Sequence, residues 1–558
     1  MSAYLDNARF FLIAAVVFCG FLIWDAWQTD YAAAPTEVAT TERPAATATA
    51  PAPVEETDLP AVGALPAGED SPAPPVATAA AGGDHISVRT DVLALRIDTV
   101  GGVLDYAALP GYPVTPSQPD EPVVLLSEAP AEFFIVQSGL LGEGLPDHRQ
   151  TWQAERPRYV LAEDAETLVV PLTWQQDGRT VTKRFVFTRG SYEVEVQYEI
   201  RNAGEAALAP RQYAQLQQRA RASGGTFFVR KFRGAAYYDG KYHQLSFEDL
   251  GESPVDVGVQ GGWASMLQHY FLAAAIPPAD SLNRYYSRGL GENRYLIGFV
   301  GEAAQIAPGA QGRLSHRLYL GPKAQDHLDE VAPGLSLTVD YGWLTIIARP
   351  LFWVLALIHD LIGNWGWSIV ILTLLIKLAF YKLSEAQYRS MAKMRRFAPR
   401  IQALRERFGD DRQKLNEAMM DLYRKEKFNP LGGCLPLLVQ MPVFIALYWV
   451  LIASVDLRHA GFMFWIDDLS SPDPLFILPV LFGISMLAQQ KLSAQTITDP
   501  IQQRVMMFMP IGLTIFFAFF PAGLVLYWLA NNLLSIVQQW YIMRKVDAEA
   551  PGGQAANA

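Results

Sequence analysis

The 558-residue sequence predicts a polytopic α-helical membrane protein with six transmembrane helices, five of them forming a core, and an all-β domain held outside the membrane. Three observations predict it. Apolar runs gather near the two ends of the chain, at residues 10–24 and again after residue 340. The polar stretch between them alternates apolar and polar residues with a period of two. Mean hydropathy of +0.11, 51% hydrophobic residues and a net charge of −11 are too apolar for an ordinary soluble protein and too charged for one lying wholly in the membrane. The acidic balance argues against a DNA-binding protein, which would carry a basic domain.

The first apolar run, FFLIAAVVFCGFLIW (10–24), follows Arg9. It is a signal peptide or an uncleaved anchor, and the anchor is favoured because Ala32, Ala33 and Ala34 lie far beyond the run and Pro35 follows them. Residues 1–30 are then an anchor whose Arg9 end is cytoplasmic. Residues 31–83, rich in Ala, Pro and Thr, bury too little surface to offset ordering and read as a disordered tether.

Residues 84–340 read as a β-rich sandwich. In YEVEVQYEI, Tyr192, Val194, Val196, Tyr198 and Ile200 share one strand face and Glu193, Glu195, Gln197 and Glu199 the other. TVTKRFVF (180–187) and the Arg189-Gly190 turn before it complete a hairpin. LALRID (93–98) and GRLSHRLYL (312–320) repeat the pattern, and Gly101-Gly102 reads as a turn. The eight histidines show no metal-ligand spacing, and neither a phosphate-cradling loop nor a nucleophile elbow occurs. The domain is expected to be a scaffold without catalysis, with no cofactor and no metal. Its two flanking cysteines, Cys19 and Cys434, give it no disulfide.

Residues 341–361 are apolar but interrupted by Arg349-Pro350 and His359-Asp360, so neither piece reaches the roughly 20 residues of a span. They are expected to form an amphipathic helix lying in the outer interface. Residues 362–545 hold five further spans, at about 362–381, 432–455, 475–488, 505–520 and 523–542, with a Pro-Gly turn at 519–523. Thirteen Lys/Arg lie between Lys382 and Lys427, whereas connection 456–474 has only Arg458 against four aspartates. Both termini, and the short tail 546–558, are thus expected in the cytoplasm and the β-domain outside.

The basic segment 384–428 is a helical hairpin. Tyr388, Met391, Met394, Phe397, Ile401, Leu404 and Phe408 form one stripe. Arg395, Arg396, Arg400, Arg405 and Arg407 carry its positive charge. Two readings stand equally: a charged face beside anionic lipid, or a docking surface for a polyanion such as ribosomal RNA.

The sharpest feature is Lys377 inside WSIVILTLLIKLAFYKL (367–383), because a charge at the bilayer centre costs about 3 kcal/mol on insertion scales. One reading is snorkelling, since Tyr381 is only four residues away. The other is a wet cavity. Thr373 lies one turn before Lys377, and Gln440, Thr514, Tyr527, Asn531, Asn532 and Ser535 place neutral polar groups in other spans, with no carboxylate among them to pair with the lysine.

MAKMRRFAPRIQALRERFGDD (391–411), NPLGGCLPLLVQMPVFIALYWVL (429–451), DPLFILPVLFG (473–483) and FPAGLVLYW (520–528) resemble the signature stretches of the YidC/Oxa/Alb membrane protein insertase family in its Gram-negative form. The resemblance covers essentially the whole chain. It implies a periplasmic β-supersandwich and a five-helix insertase core in the inner membrane, with a hydrophilic groove open to cytoplasm and lipid. Lys377 stands where the family usually has arginine, keeping the charge and losing the bidentate fork. Thr373, Gln440, Thr514 and Tyr527 match further groove positions, and Met441, Phe444 and Phe517 the apolar slide along which a client segment moves into lipid. Nascent membrane proteins, the ribosome, the Sec translocon and the bilayer are the partners it implies, and a chaperone role and a non-enzymatic mechanism follow. The competing class, a secondary transporter or channel using Lys377 as an anion site, would need inverted repeats or a second intramembrane charge, and neither is found. An intramembrane protease would need a Ser/His or Asp pair within the spans.

Overall fold

The computed structural model of the chain describes residues 59–60, 83–221, 225–226, 229–230, 232–408, 412–425, 435–493 and 500–548. The expected first span, most of the tether, connection 494–499 and tail 549–558 lie outside the described residues.

Alternating sequence becomes two packed sheets. One has ten strands, running in space from Asp256–Gln260 through Leu282–Gly289, Arg294–Gly301, Arg211–Arg219, Phe134–Leu141, Val103–Pro113, Ala94–Asp98 and His85–Arg89 to Arg158–Val160, with Pro122–Leu126 paired off Val103–Pro113. The other has nine, from Tyr242–Leu245 through Gly234–Tyr238, Trp263–Leu267, Phe271–Ile276, Gln311–Pro322, Glu193–Asn202, Arg179–Thr188 and Thr167–Gln176 to Gln153–Ala154. The hairpin read from sequence forms: Arg179–Thr188 pairs antiparallel with Glu193–Asn202, and Gly190 takes the positive φ its turn requires. Val194, Val196, Tyr198 and Ile200 face the core, whereas Tyr192 is only partly buried. On the partner strand Val181, Phe185 and Phe187 share the core face with Lys183, which is fully buried. Its ammonium donates to the carbonyls of Gly101 (3.1 Å), Gly102 (2.9 Å) and Ser138 (2.9 Å), tying one sheet to the other.

The outer face of Trp263–Leu267 and Phe271–Ile276 is buried as well. The segment after the sheet covers it: α2 (Gln325–Val331) and the turns that follow contribute Leu328, Val331 and Leu335 to one core with Trp263, Leu267 and Ile276. α1 (Phe247–Glu252), capped by Ser246 and Asp249, packs at the other sheet's edge.

The helical part begins with α3 (Thr345–Ile362), a single continuous helix. The expected interruption at Arg349-Pro350 does not occur: Pro350 lies in the second turn, and Arg349 leaves the apolar face to donate to Ser336 Oγ at 2.7 Å. α3 is thus long and apolar enough to cross a membrane by itself. It ends at Gly363 in the left-handed region, and Asn364 caps α4 (Trp365–Ala379) by accepting from Trp367 N–H at 3.0 Å.

α4 meets α5 (Tyr381–Phe408) at a 67° bend at Phe380. α5 and α6 (Arg412–Lys425) form the expected hairpin, with Tyr388, Ile401, Leu415 and Met419 buried. α7 (Leu435–Ala453), α8 (Ile477–Ser493), α9 (Pro500–Phe517) and α10 (Ala522–Ala548) follow. α7 and α9 run on through Pro442 and Pro510. α10 is the hub, packing on α8, α4 and α5, while α3 packs on α7 and α4. Shorter apolar stretches at Gln440–Ala453, Ile477–Leu492 and Met507–Phe517 mark α7, α8 and α9.

Outward the helices are greasy. Ile346, Trp353 and Leu361 on α3, Val480 and Ile484 on α8, and Phe508, Ile511 and Ile515 on α9 are exposed. An apolar exterior of this extent is what a helical bundle presents to lipid. On the side facing the sheets, Arg458 donates to the carbonyls of Pro113 (2.7 Å) and Val114 (3.1 Å), joining the connection between α7 and α8 to the β-domain.

Candidate functional site

Four-residue spacing on α10 puts Asn531, Ser535 and Gln539 on one stripe. Ser535 Oγ donates to the Asn531 carbonyl at 2.7 Å, which turns its lone pairs outward from the helix. Lys377, in the last turn of α4, donates to that hydroxyl at 2.8 Å. The helix C-terminus favours a cation there. One turn along α10, the Asn531 side-chain oxygen accepts from Gln440 Nε2 of α7 at 3.0 Å, and Tyr527, one turn further, lies beside Gln440. On the other side of α10, Asn532 donates to Ser485 Oγ of α8 at 2.8 Å. Tyr388, from α5, reaches the Ser535 carbonyl at 3.5 Å.

The row is a polar seam through an apolar bundle, with one positive charge. Lys377 is only half-buried, and its acceptor is a neutral hydroxyl. The ion pairs of the adjoining helix, Lys382 and Arg389 with Glu385, leave it out. A hydrogen bond from a charged donor is worth about 1.5–3 kcal/mol, less than an ion pair would recover for a desolvated ammonium. The arrangement is suited to receive an anionic or strongly polar group from outside the bundle.

The sequence-expected residues divide here. Lys377, Gln440 and Tyr527 come together. Thr373 is buried with its hydroxyl on the Ile369 carbonyl of its own helix (2.6 Å), and Thr514 likewise donates to the Pro510 carbonyl (2.8 Å) while its side chain lies against Gly483 of α8. Both back-bond because a β-hydroxyl in an apolar helix is most cheaply satisfied by the preceding turn, and neither joins the row among the described residues. Asn531, Ser535 and Ser485 carry it instead. The stripe spacing on α10 signals the first two; nothing in the sequence singles out Ser485.

The apolar residues divide too. Met441 is exposed, and Phe444 stacks on Tyr527 with ring centroids 6.1 Å apart. Phe517 is buried at 6% exposure among Phe482, Phe520 and Trp528, so the exposed apolar face of α9 is formed by Phe508, Ile511 and Ile515. In the hairpin Arg400 and Arg407 are exposed, and Arg407 lies over the Phe408 ring at 5.3 Å. The side chains of Arg395, Arg396 and Arg405 lie outside the described residues.

Residues 85–354 match the family of the YidC periplasmic domain and residues 357–549 that of the 60Kd inner membrane protein. The membrane protein insertase YidC of Thioalkalivibrio sulfidiphilus is 48% identical over 564 residues, covering 98% of this chain and 100% of that protein. The protein of the same name from Nitrosococcus oceani is 47% identical over 551 residues, covering 98% and 100%. A crystal structure of an active YidC insertase with its first transmembrane domain resolved aligns at a TM-score of 0.39 and 18% identity, over 82% of this chain and 92% of that one.

Proposed function

Because the chain belongs to the YidC membrane protein insertase family, we propose that the seam around Lys377 is the entry point of an insertase groove through which nascent membrane proteins pass into lipid. The observation that carries this reading is the Lys377–Ser535 hydrogen bond: a positive charge held on neutral partners inside an apolar bundle. An acidic tail or short hydrophilic stretch of a client enters along Lys377, Gln440 and Tyr527, which lowers its desolvation cost. The client's apolar segment then leaves along the exposed faces of α7 and α9, beginning at Met441. Hydrophobic transfer and the membrane potential supply the driving force, and no enzymatic step is involved.

In the same reading the chain crosses the inner membrane six times with both termini cytoplasmic, the 84–340 domain is a periplasmic supersandwich, and α3 lies at the outer interface. The support for the last point is that Ala348, Phe352, Leu355 and Ile358 pack α3 on α4 and α7, while Arg349, His359 and Asp360 put polar groups on a helix whose outward face is otherwise apolar at Ile346, Trp353 and Leu361. The hairpin of α5 and α6, with Arg400 and Arg407 outward, meets the ribosome. Work beside the Sec translocon and help in client folding complete the proposal. A transporter or channel is not favoured, since the relatives are named as insertases.

The test is site-specific crosslinking. With Cys19 and Cys434 replaced by serine, Lys377→Cys is expected to capture a cysteine in the hydrophilic tail of a ribosome-held client, only at chain lengths that bring the tail into the bilayer. No crosslink at any length, with position 377 unreactive to aqueous thiol reagents, would return Lys377 to a snorkelling anchor.

A further inference from the structure

Along its middle strands the outer face of the ten-stranded sheet is buried where a sandwich is ordinarily wet, while His85–Arg89 and Leu282–Gly289 in the same sheet keep the ordinary alternation. Strand Glu193–Asn202 of the other sheet keeps the ordinary alternation of buried core positions with partly exposed outer ones. Strand Phe134–Leu141 is buried at all eight positions, and Arg211–Arg219 at all but its two ends. In the nine-stranded sheet such burial has a visible cause, the cover provided by Leu328, Val331 and Leu335.

Register locates the covered row. Tyr213 pairs with Gly139 on one side and Val300 on the other, and Val300 pairs with Arg284, so Leu141, Tyr213, Val300 and Tyr286 lie on one face across four neighbouring strands. Gly139 and Gly298 share that face; a Cβ at Gly139 would meet the Tyr213 hydroxyl and the Asp147 backbone, and one at Gly298 the Ala214 carbonyl and Gln215, while the Tyr213 hydroxyl accepts from His148 N–H at 3.0 Å, so the Asp147–His148 segment closes one end of a trough. Its polar side is fixed by side chains: the Tyr286 hydroxyl donates to Gln215 Oε1 at 2.6 Å, and Gln215 Nε2 donates to Gln137 Oε1 at 2.7 Å. Seated on the apolar side, against the cluster of Leu141, Tyr213 and Val300 that Tyr286 also joins, is Leu59, and Pro60 beside it is buried. These two residues come from the middle of the segment that composition reads as a featureless tether.

We propose that this trough is a binding groove for an extended, proline-containing apolar peptide, and that the chain's own segment at Leu59-Pro60 is its resident ligand. The chemistry fits. A residue before proline is held extended, so Leu59 is presented with little conformational entropy left to lose. Leucine supplies the apolar anchor, and a floor of tyrosine, valine and glutamine suits an apolar side chain flanked by peptide groups. Pinning at residue 59 also divides the tether.

The test uses the full chain in detergent with Cys19→Ser, Cys434→Ser and a protease site inserted after Pro75. Leu59→Cys with Val300→Cys, treated with a short bismaleimide and then cut, is expected to keep the N-terminal fragment attached in most molecules. The control pair, Thr49→Cys with Val300→Cys, is expected to release it. Independently, a fluorescent peptide of residues 54–66 is expected to bind a Leu59→Asp chain at least tenfold more tightly than the unaltered chain, whose groove is occupied. Equal crosslinking by the two pairs, or a peptide that binds both chains alike or neither, overturns the proposal.

Discussion

Lys377 and Ser535 are joined by a hydrogen bond of 2.8 Å between α4 and α10, and Ser535 is in turn bonded to the backbone of its own helix at Asn531. The serine is thereby oriented to accept, and the ammonium is held on the bundle side of α4. A snorkelling lysine would direct its charge along its own helix toward the headgroups. This one reaches sideways to a neighbour, which is the geometry of a pre-placed charge.

If that charge is what draws a hydrophilic tail inward, Lys377→Met should depress insertion of a single-span client with an acidic N-tail by about tenfold or more, since tenfold is the kinetic equivalent of about 1.4 kcal/mol, near the lower end of the range for one charged hydrogen bond. Lys377→Arg should retain most of the activity, because charge is needed and the fork is not. Ser535→Ala, which leaves the charge but frees its position, should lose less than Lys377→Met. Insertion into proteoliposomes, scored by protease protection, measures all three. Equal loss in the Met and Arg variants would mean that side-chain shape matters and charge does not.

The hairpin makes a separate prediction. Arg400 and Arg407 are exposed on α5, so the double reversal Arg400→Glu, Arg407→Glu should weaken co-sedimentation with ribosomes and flatten its dependence on salt, since each phosphate contact adds about 0.7–0.9 to the logarithmic slope. A lipid-facing role would leave ribosome binding unchanged and lower affinity for anionic vesicles instead.

How legible is this molecule in its sequence? The period-two strands and the hairpin at Gly190 are, because one wet face enforces alternation. Lys377, Gln440 and Tyr527 are legible as polar groups in apolar runs, where lipid makes any such group conspicuous. What pairs them is not. Back-bonding takes Thr373 and Thr514 out of the row, and helix spacing alone does not say whether a hydroxyl turns to a neighbour or to its own carbonyl. α3 reads as broken in sequence and is whole in space, since proline in an early turn, with arginine able to leave for Ser336, does not stop a helix. Leu59 is invisible because its cover is a distant sheet face that composition cannot see.

Gly483 on α8 allows α9 to approach, and a Cβ there would fall on the Thr514 side chain, 3.3 Å from its own Cβ. Small residues let helices meet closely in lipid, where packing takes the place of the hydrophobic effect. Gly483→Ala should cost about 1–3 kcal/mol through overpacking, seen as a lower melting temperature in detergent. Adding Thr514→Ala should restore most of it by opening the same space. Failure of the second change to rescue the first would place the strain elsewhere.

The buried lysine of the β-domain gives a prediction with a definite sign. Burial pushes Lys183 down to about 7, against about 10.4 in an unfolded chain. The ring faces of Trp152, Phe185 and Tyr198 and the three carbonyls favour the charged form but fall short of the desolvation cost, and His316, pushed down to about 3 by its own burial and then by the Lys183 charge, stays neutral. Between those two pH values the unfolded chain binds the proton and the folded one does not, so this group's contribution to stability rises as pH rises from about 7 toward 10 and is flat below. Lys183→Met removes the titration. It also leaves the carbonyls of Gly101, Gly102 and Ser138 without this donor, at a cost of about 1–3 kcal/mol for an orphaned acceptor. The variant should therefore melt lower than the parent at pH 7, and the gap should widen by about 2 kcal/mol, roughly 5 °C, on going to pH 9. A gap that stays constant between pH 7 and 9 would mean that the three carbonyls hold the ammonium charged at both, and that the lysine serves as a permanently protonated clasp between the sheets.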